Sequence, residues 1–418
     1  MDFIKEAISQ NIHWETGKIE FPRVTNAIIE RDIFPTLENA VKTKFMIVLR
    51  GLRRVGKSVI TRQLMQKLIQ KGMSPNEIGW FEFDRSMRTG SDELNSLISF
   101  FKSKGSKVII FDEIMFVKDW QDVLKRHYDL SDIKFIVTGS SALELDRRSS
   151  ESLAGRLRLI KINPFSFREY LNLKGMTIPL SDREMITNEQ KMIIICEEYI
   201  KNGGLPEAEL LENKDREKYI RNSLLDPLFF KDIPAIFPRA NHDMLMKTLE
   251  LAAATSGSVF QYQSMAQILG CSHPVVSEQL EILKRSLSVW QIYNYTKSVM
   301  KQKRTAKKII FTDNGILKSL NPDITLGALA ENSVGQWIDA AHFWRDAEGR
   351  EVDFLIPQQK IAMEVKYQEH IVSSDEKNLR YFLERNKGWK GILITKKHDY
   401  DGDILHVPLW KFLLKPWV

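Results

Sequence analysis

The chain has 418 residues, enough for two or three domains that each bury a core, and its 43% hydrophobic and 28% charged content excludes a disordered polymer. No apolar run reaches the roughly 18–20 residues that span a bilayer, and the amphipathic start MDFIKEAISQNIHWETGK lacks the apolar core of a secretion signal. A net charge of +7 tilts towards a polyanionic partner without demanding one, while two distant cysteines, Cys196 and Cys271, form no metal-ligand pair and suit a reducing cytoplasm.

Residues 1–42 read as a polar, helical lead-in. From Phe45 to Leu159, short apolar runs (FMIVL, IGWFEFD, KVIIFDEI, KFIVTGS) alternate with amphipathic helical patterns (SVITRQLMQKLIQ, DELNSLISFFKS, DWQDVLKRHY). That alternation predicts a parallel sheet covered on both faces, over about residues 43–165. Residues 166–240 look helical, with breaks at KNGGLPEA and LDPLFFKDIP; 241–312 carry short helices and then strand-like runs; 313–418 return to strands around a helix at GALAENSVGQWIDAAHFW. No internal repeat suggests a solenoid.

The first apolar run leads into Gly51-Leu52-Arg53-Arg54-Val55-Gly56-Lys57-Ser58, which fits GxxxxGK[ST] between a strand and a helix. Glycines let backbone N–H groups, including those near Arg54 and Val55, turn inward around phosphates, and the helix that includes Val59 adds its positive end. Lys57 would reach the β- and γ-phosphates of ATP and Ser58 would ligate Mg²⁺. KVIIFDEI then ends in Asp112 and Glu113 at the carboxyl end of a buried strand, where sheets of this kind bind ligands. Asp112 can hold Mg²⁺ through its waters, and Glu113 can orient and deprotonate an attacking water. KFIVTGSS offers Thr138 and Ser140 as groups that touch the γ-phosphate or the water; they also suit a turn. Arg156, after a glycine at the head of another strand, could neutralise charge on the γ-phosphate, from the same chain or from a neighbour.

Asp-Glu-Ile followed by Trp120 and VLKRHYD, then TGSS, LAGR and PFSFREYL, and later ENSVGQWI and EVDFLI, resembles the prokaryotic AAA-type ATPases (AAA_14-like core) that carry a DUF4143-type, nuclease-like carboxy-terminal domain. The resemblance covers about residues 45–400. It implies ATP and Mg²⁺ at Lys57, Ser58, Asp112 and Glu113, and maps the family's glycine-arginine motif onto Gly155-Arg156. One departure is Met115, where the family usually has glutamine, which bears on how the nucleotide is coupled to a partner.

QYQSMAQILGCSHPVVSEQLEILKRSLSVWQIYNY places two helices about a turn at Gly270, with Pro274 suited to a first helical turn, and so predicts a winged helix. KSVMKQKRTAKK, residues 297–308, has six basic residues in twelve positions and reads as a loop for DNA phosphates, while Glu278 and Glu281 argue against base reading. Finally, GREVDFLIPQQKIAMEVKY alternates as a hairpin, bringing Asp353 near Glu364 and Lys366. Two carboxylates can bind Mg²⁺ while Lys366 stabilises a nucleophile or the scissile phosphate, and Glu331 could add a ligand; this resembles a PD-(D/E)XK nuclease core. Any half-exposed hairpin alternates in the same way.

The expected architecture is therefore an α/β P-loop core with a three-layer parallel sheet, a winged-helix domain and a C-terminal α/β nuclease-like domain. The expected activity is ATP binding with hydrolysis. An ATP-regulated, metal-dependent DNA nuclease and a slow nucleotide switch that recruits a protein partner or a second copy are the alternatives.

Overall fold

The apolar runs of the first third become the strands of one sheet. The computed structural model describes residues 2–21, 28–87, 89–139, 153–296 and 306–415, and the chain divides into two units after Asn163. In the first unit, α1 (Phe3–Gln10) precedes β1 (Met46–Arg50), α2 (Lys57–Gln70), β2 (Ile78–Glu82), α3 (Ser91–Ser103), β3 (Val108–Asp112), α4 (Trp120–Leu130), β4 (Lys134–Gly139) and β5 (Leu157–Lys161). The strands are all parallel, in the order β2-β3-β4-β1-β5. β3, inside the sheet, is buried along its whole length, as a sheet covered on both faces requires. One apolar cluster joins Val48, Phe81, Phe111 and Phe135 of the strands to Leu97 and Phe101 of α3 and Trp120 of α4.

The lead-in is only partly helical, and its side chains cover the open edge of β2. Asn11 Oδ1 accepts from the Trp80 amide at 2.8 Å and its Nδ2 donates to the Trp80 carbonyl at 2.7 Å. Gln10 Oε1 accepts from the Glu82 amide at 2.8 Å, and Trp14 Nε1 donates to the Ile78 carbonyl at 2.8 Å. Alternate outward-facing peptide groups of the edge strand are thus paired by side chains instead of by another strand.

In the second unit, the helix Asp182–Asn202 starts with a capping box of Ser181 and Glu184. The expected break at LDPLFFKDIP is absent: residues 213–236 stay helical, widening to π turns at Ile220–Leu225 and Leu228–Asp232. Wider turns accommodate Pro227 and Pro234, whose missing amides would interrupt a regular α-helix. Next come α5 (His242–Ala254), α6 (Tyr262–Leu269), α7 (His273–Arg285), β6 (Val289–Asn294), β7 (Lys307–Phe311), α8 (Leu326–Trp337), β8 (His342–Arg345), β9 (Glu351–Ile356), β10 (Ile361–Lys366), β11 (Lys390–Thr395) and β12 (Ile404–Pro408). The seven strands form one mixed sheet in the order β12-β11-β10-β9-β8-β6-β7. The strands that follow the helix pair α6–α7 are therefore an edge of the same sheet that holds the β9–β10 hairpin.

Candidate functional site

The turn between β1 and α2 owes its two glycines to different constraints. Gly56 has φ +90°, a left-handed conformation that a side chain would strain, and it sets the first turn of α2. Gly51 serves packing: a Cβ there would lie 2.4 Å from the carbonyl oxygen of Ile162, where the chain leaving β5 crosses the loop. Arg54 stands exposed at the apex, Val55 is buried, and Ser58 and Val59 are half-buried in the first turn of α2. The Lys57 side chain is buried, with Nζ donating to the carbonyls of Gly51 at 3.1 Å and Leu52 at 3.0 Å. Its ammonium is thus held inside the loop.

Asp112, fully buried at the end of β3, faces this loop. Its Oδ1 accepts from the Thr138 hydroxyl at the end of β4, which in turn accepts from the Glu113 amide at 3.1 Å. Its Oδ2 is buried with no hydrogen-bond partner. Burial and the Glu113 charge push the Asp112 carboxyl up, while hydrogen bonding from Ser58 and Thr138 and the Lys57 charge oppose the rise. A buried carboxylate oxygen left over beside a serine hydroxyl and a lysine fits a magnesium ion held with a nucleotide triphosphate. Glu113 itself takes a left-handed backbone, φ +52°, which turns its side chain out of the strand direction.

Arg156 is not among these groups. Its carbonyl accepts from the amide of Met46, the first residue of β1, at 2.9 Å, whereas the loop follows the last residue of β1. Five residues of strand, roughly 15 Å, separate the two ends. The guanidinium is paired instead with Asp129 at the end of α4, through Nε at 2.9 Å and Nη2 at 3.1 Å. Ser140 lies outside the described residues, as does the basic stretch 297–305.

Two groups near the loop escape a reading by motif. Arg31, buried within the lead-in, donates to the Val55 carbonyl at 2.9 Å and to the Asn163 carbonyl at 2.7 Å, clamping the loop to the chain beyond β5. Glu82 stands level with Asp112 on the neighbouring strand, and desolvation together with the Asp112 charge raises its carboxyl above the ordinary value.

Residues 43–171 match the sequence profile described as an AAA domain. The chain carries an AAA-type P-loop domain. Behind the AAA domain, residues 195–327 match DUF8612 and residues 326–412 match DUF4143, both described as domains of unknown function. The uncharacterized protein MJ1637 of Methanocaldococcus jannaschii is 28% identical over 93% of this chain and 88% of its own length. MJ1544 of the same organism is 25% identical over 93% and 91%, and an uncharacterized protein of Haemophilus influenzae 23% over 88% and 94%. Among solved structures, the Aeropyrum pernix ORC1 protein in complex with DNA covers 72% of this chain and 94% of its own at 10% identity and a TM-score of 0.32. AMPPCP-bound DnaA from Aquifex aeolicus covers 66% and 93% at 13% identity and a TM-score of 0.28. Likenesses this slight carry no functional weight.

The DUF4143 region contains the hairpin β9–β10, in register Ile361 to Ile356. Asp353 Oδ2 accepts from the Val365 amide at 2.9 Å, and Lys366 Nζ donates to Glu364 Oε1 at 2.7 Å. Glu331 on α8 reaches the same place, but the group it meets is Lys308 of β7. Lys308 is 1% exposed, with Nζ 2.8 Å from Glu331 Oε1, 3.1 Å from Asp353 Oδ1 and 2.6 Å from Glu351 Oε1. Burial raises the carboxyls of Glu331 and Glu364, the Asp353 charge adds to that rise, and the lysines oppose it. Among the described residues, no three His, Cys, Asp or Glu side chains converge so as to hold a metal ion. The expected set Glu331, Asp353 and Glu364 therefore does not fit a divalent cation. Lys308, the last basic residue of the 297–308 stretch, is internal and not part of a phosphate-contacting loop, and Lys307 lies 4.7 Å from the centre of the Tyr262 ring.

The helix pair itself is built as its sequence suggests. Gly270, φ +64°, ends α6, and Pro274 sits in the first turn of α7. Glu281 of α7 is neutralised by Lys284 at 2.8 Å and Arg285 at 3.1 Å. No helix among the described residues is long and apolar enough to cross a membrane.

Proposed function

We propose that the chain binds ATP with Mg²⁺ in its AAA domain and hydrolyses it, and that the helix pair with β6 and β7 acts as a winged helix on DNA. The observation that carries the first part is the facing of a buried lysine by a buried carboxylate across one strand end. Lys57 is already inside the loop, and Asp112 keeps one oxygen unpartnered next to Ser58. Gly51, Arg54, Val55, Gly56 and Val59 would frame the phosphates, and Mg²⁺ would supply charge for the β- and γ-oxygens. Thr138 fixes Asp112 and the Glu113 backbone, so that Glu113 is presented to a water on the phosphate side. Arg156 serves a neighbouring copy, since its own loop is at the far end of β1.

The winged-helix reading rests on the turn at Gly270 and on the basic residues that precede Lys307. Its affinity for DNA should fall steeply with salt.

A direct test is the binding of a fluorescent ATP analogue with and without Mg²⁺, alongside ATP turnover. Lys57→Ala should lose binding, and Glu113→Gln should keep binding and lose turnover. ATP binding by Lys57→Ala as tight as the parent's would end this reading.

A further inference from the structure

The rear hairpin carries the residue types of a metal-dependent nuclease, yet most of its carboxylate oxygens are already paired within the protein. Lys308 closes on one oxygen each of Glu331, Glu351 and Asp353. The other oxygen of Asp353 holds the Val365 amide, the other oxygen of Glu351 meets Arg345 at 3.1 Å, and Glu364 gives one oxygen to Lys366. That leaves Glu364 Oε2 as the buried carboxylate oxygen of this centre without a hydrogen-bond partner. A magnesium or manganese ion takes about six oxygens in near-octahedral geometry, usually with one or two carboxylates bound directly. An ion on Asp353 would also share that carboxylate with a buried ammonium, and like charges at such range repel strongly away from water.

We propose that this centre is an ionic core in which Lys308 stands where a divalent cation would sit, and that the chain consequently does not cut nucleic acid. The role follows from where Lys308 comes. It lies on β7, directly after the basic stretch, while its three partners lie on α8 and β9. One ammonium thus ties the strand behind the helix pair to the helix and hairpin of the DUF4143 region. A metal ion would make no such covalent link to β7. The proposal is independent of what the AAA domain binds.

The test uses the full chain without nucleotide, titrated with Mn²⁺ while free Mn²⁺ is followed by electron paramagnetic resonance. The parent should leave the Mn²⁺ signal undiminished and unfold at the same temperature in Mn²⁺ and in EDTA. Lys308→Met, which keeps length and loses charge, should acquire one Mn²⁺ per chain, with affinity falling roughly 10- to 100-fold when Asp353→Asn is added. Parent binding of Mn²⁺ that Asp353→Asn removes would overturn the proposal, as would Mn²⁺-dependent nicking of plasmid DNA that the same change removes. A folded Lys308→Met that gains no Mn²⁺ would overturn the substitution of one cation for another. The parent titration set beside that of Asp353→Asn decides the matter whether or not Lys308→Met folds.

Discussion

The Thr138 hydroxyl donates to Asp112 Oδ1 and accepts the Glu113 amide, so one small side chain on β4 holds both acidic residues at the end of β3. Thr138→Val keeps shape and removes both bonds. The expected outcome is turnover reduced roughly 10- to 100-fold with nucleotide affinity little changed, and recovery in Thr138→Ser. Separate measurement of analogue affinity and of kcat checks it. Equal losses in the serine and valine variants would mean that the hydroxyl is not what matters.

Arg156 and Lys57 stand at opposite ends of β1, which fixes how their variants should behave together. Arg156→Ala should fold and bind nucleotide as the parent does, because its link to Asp129 is a solvent-screened surface ion pair that adds little to stability. Turnover should drop. Mixing Arg156→Ala with Lys57→Ala should restore part of it, since one copy supplies an intact loop and the other an intact arginine. A mixture no more active than its components would rule out action between copies.

Asn11 pairs both the backbone N–H and the backbone C=O of Trp80. Asn11→Ala should cost about 1–3 kcal/mol, the price of a buried donor or acceptor left alone, read as a lower urea midpoint for the first unit. Removing residues up to Thr16 should go further and expose the edge of β2, giving association that grows with protein concentration in light scattering.

Glu209 sets a pH dependence. It is 7% exposed, neither carboxylate oxygen has a hydrogen-bond partner, and Arg216 approaches only to 3.6 Å. Burial pushes its carboxyl up to about 7, against the opposing Arg216 charge. The folded chain therefore holds this proton more tightly than the unfolded chain. Its contribution to stability is complete below the ordinary glutamate value near 4.5 and is lost as pH rises through about 7. The second unit should lose up to about 3 kcal/mol across that window, and Glu209→Gln should flatten the slope. Denaturant melts at pH 5 and pH 8, roughly the two sides of the window, measure it.

The loop was legible because its chemistry is local: strand, GxxxxGK[ST] and helix follow one another in the chain, and Asp112 announces itself as the charge that ends an apolar strand. Arg156 carried a further clue, since the head of a parallel strand lies at the opposite end of the sheet from the phosphate loop. Arg31 carried none. It is one arginine in a polar lead-in, and only the return of the chain after β5 creates the carbonyl of Asn163 that it holds. Lys308 was misleading for a related reason. A basic run looks uniform in sequence, but strand alternation turns its last member inward to carboxylates supplied 23 to 45 residues later. Long-range partners of single charged residues leave no periodic trace.

Tyr293 and Asn294 of β6 run beside His342 and Phe343 of β8, and backbone bonds continue from Tyr293 to Ala341 and from Tyr295 to Phe343. The seam between the helix pair and the hairpin is thus a strand ladder, with no pivot in it. A cut after Thr312 would strip β6 of β8 and leave the helices on two of the seven strands. The helix pair and the hairpin therefore behave as one mechanical body, and a swap of either alone would break a shared sheet.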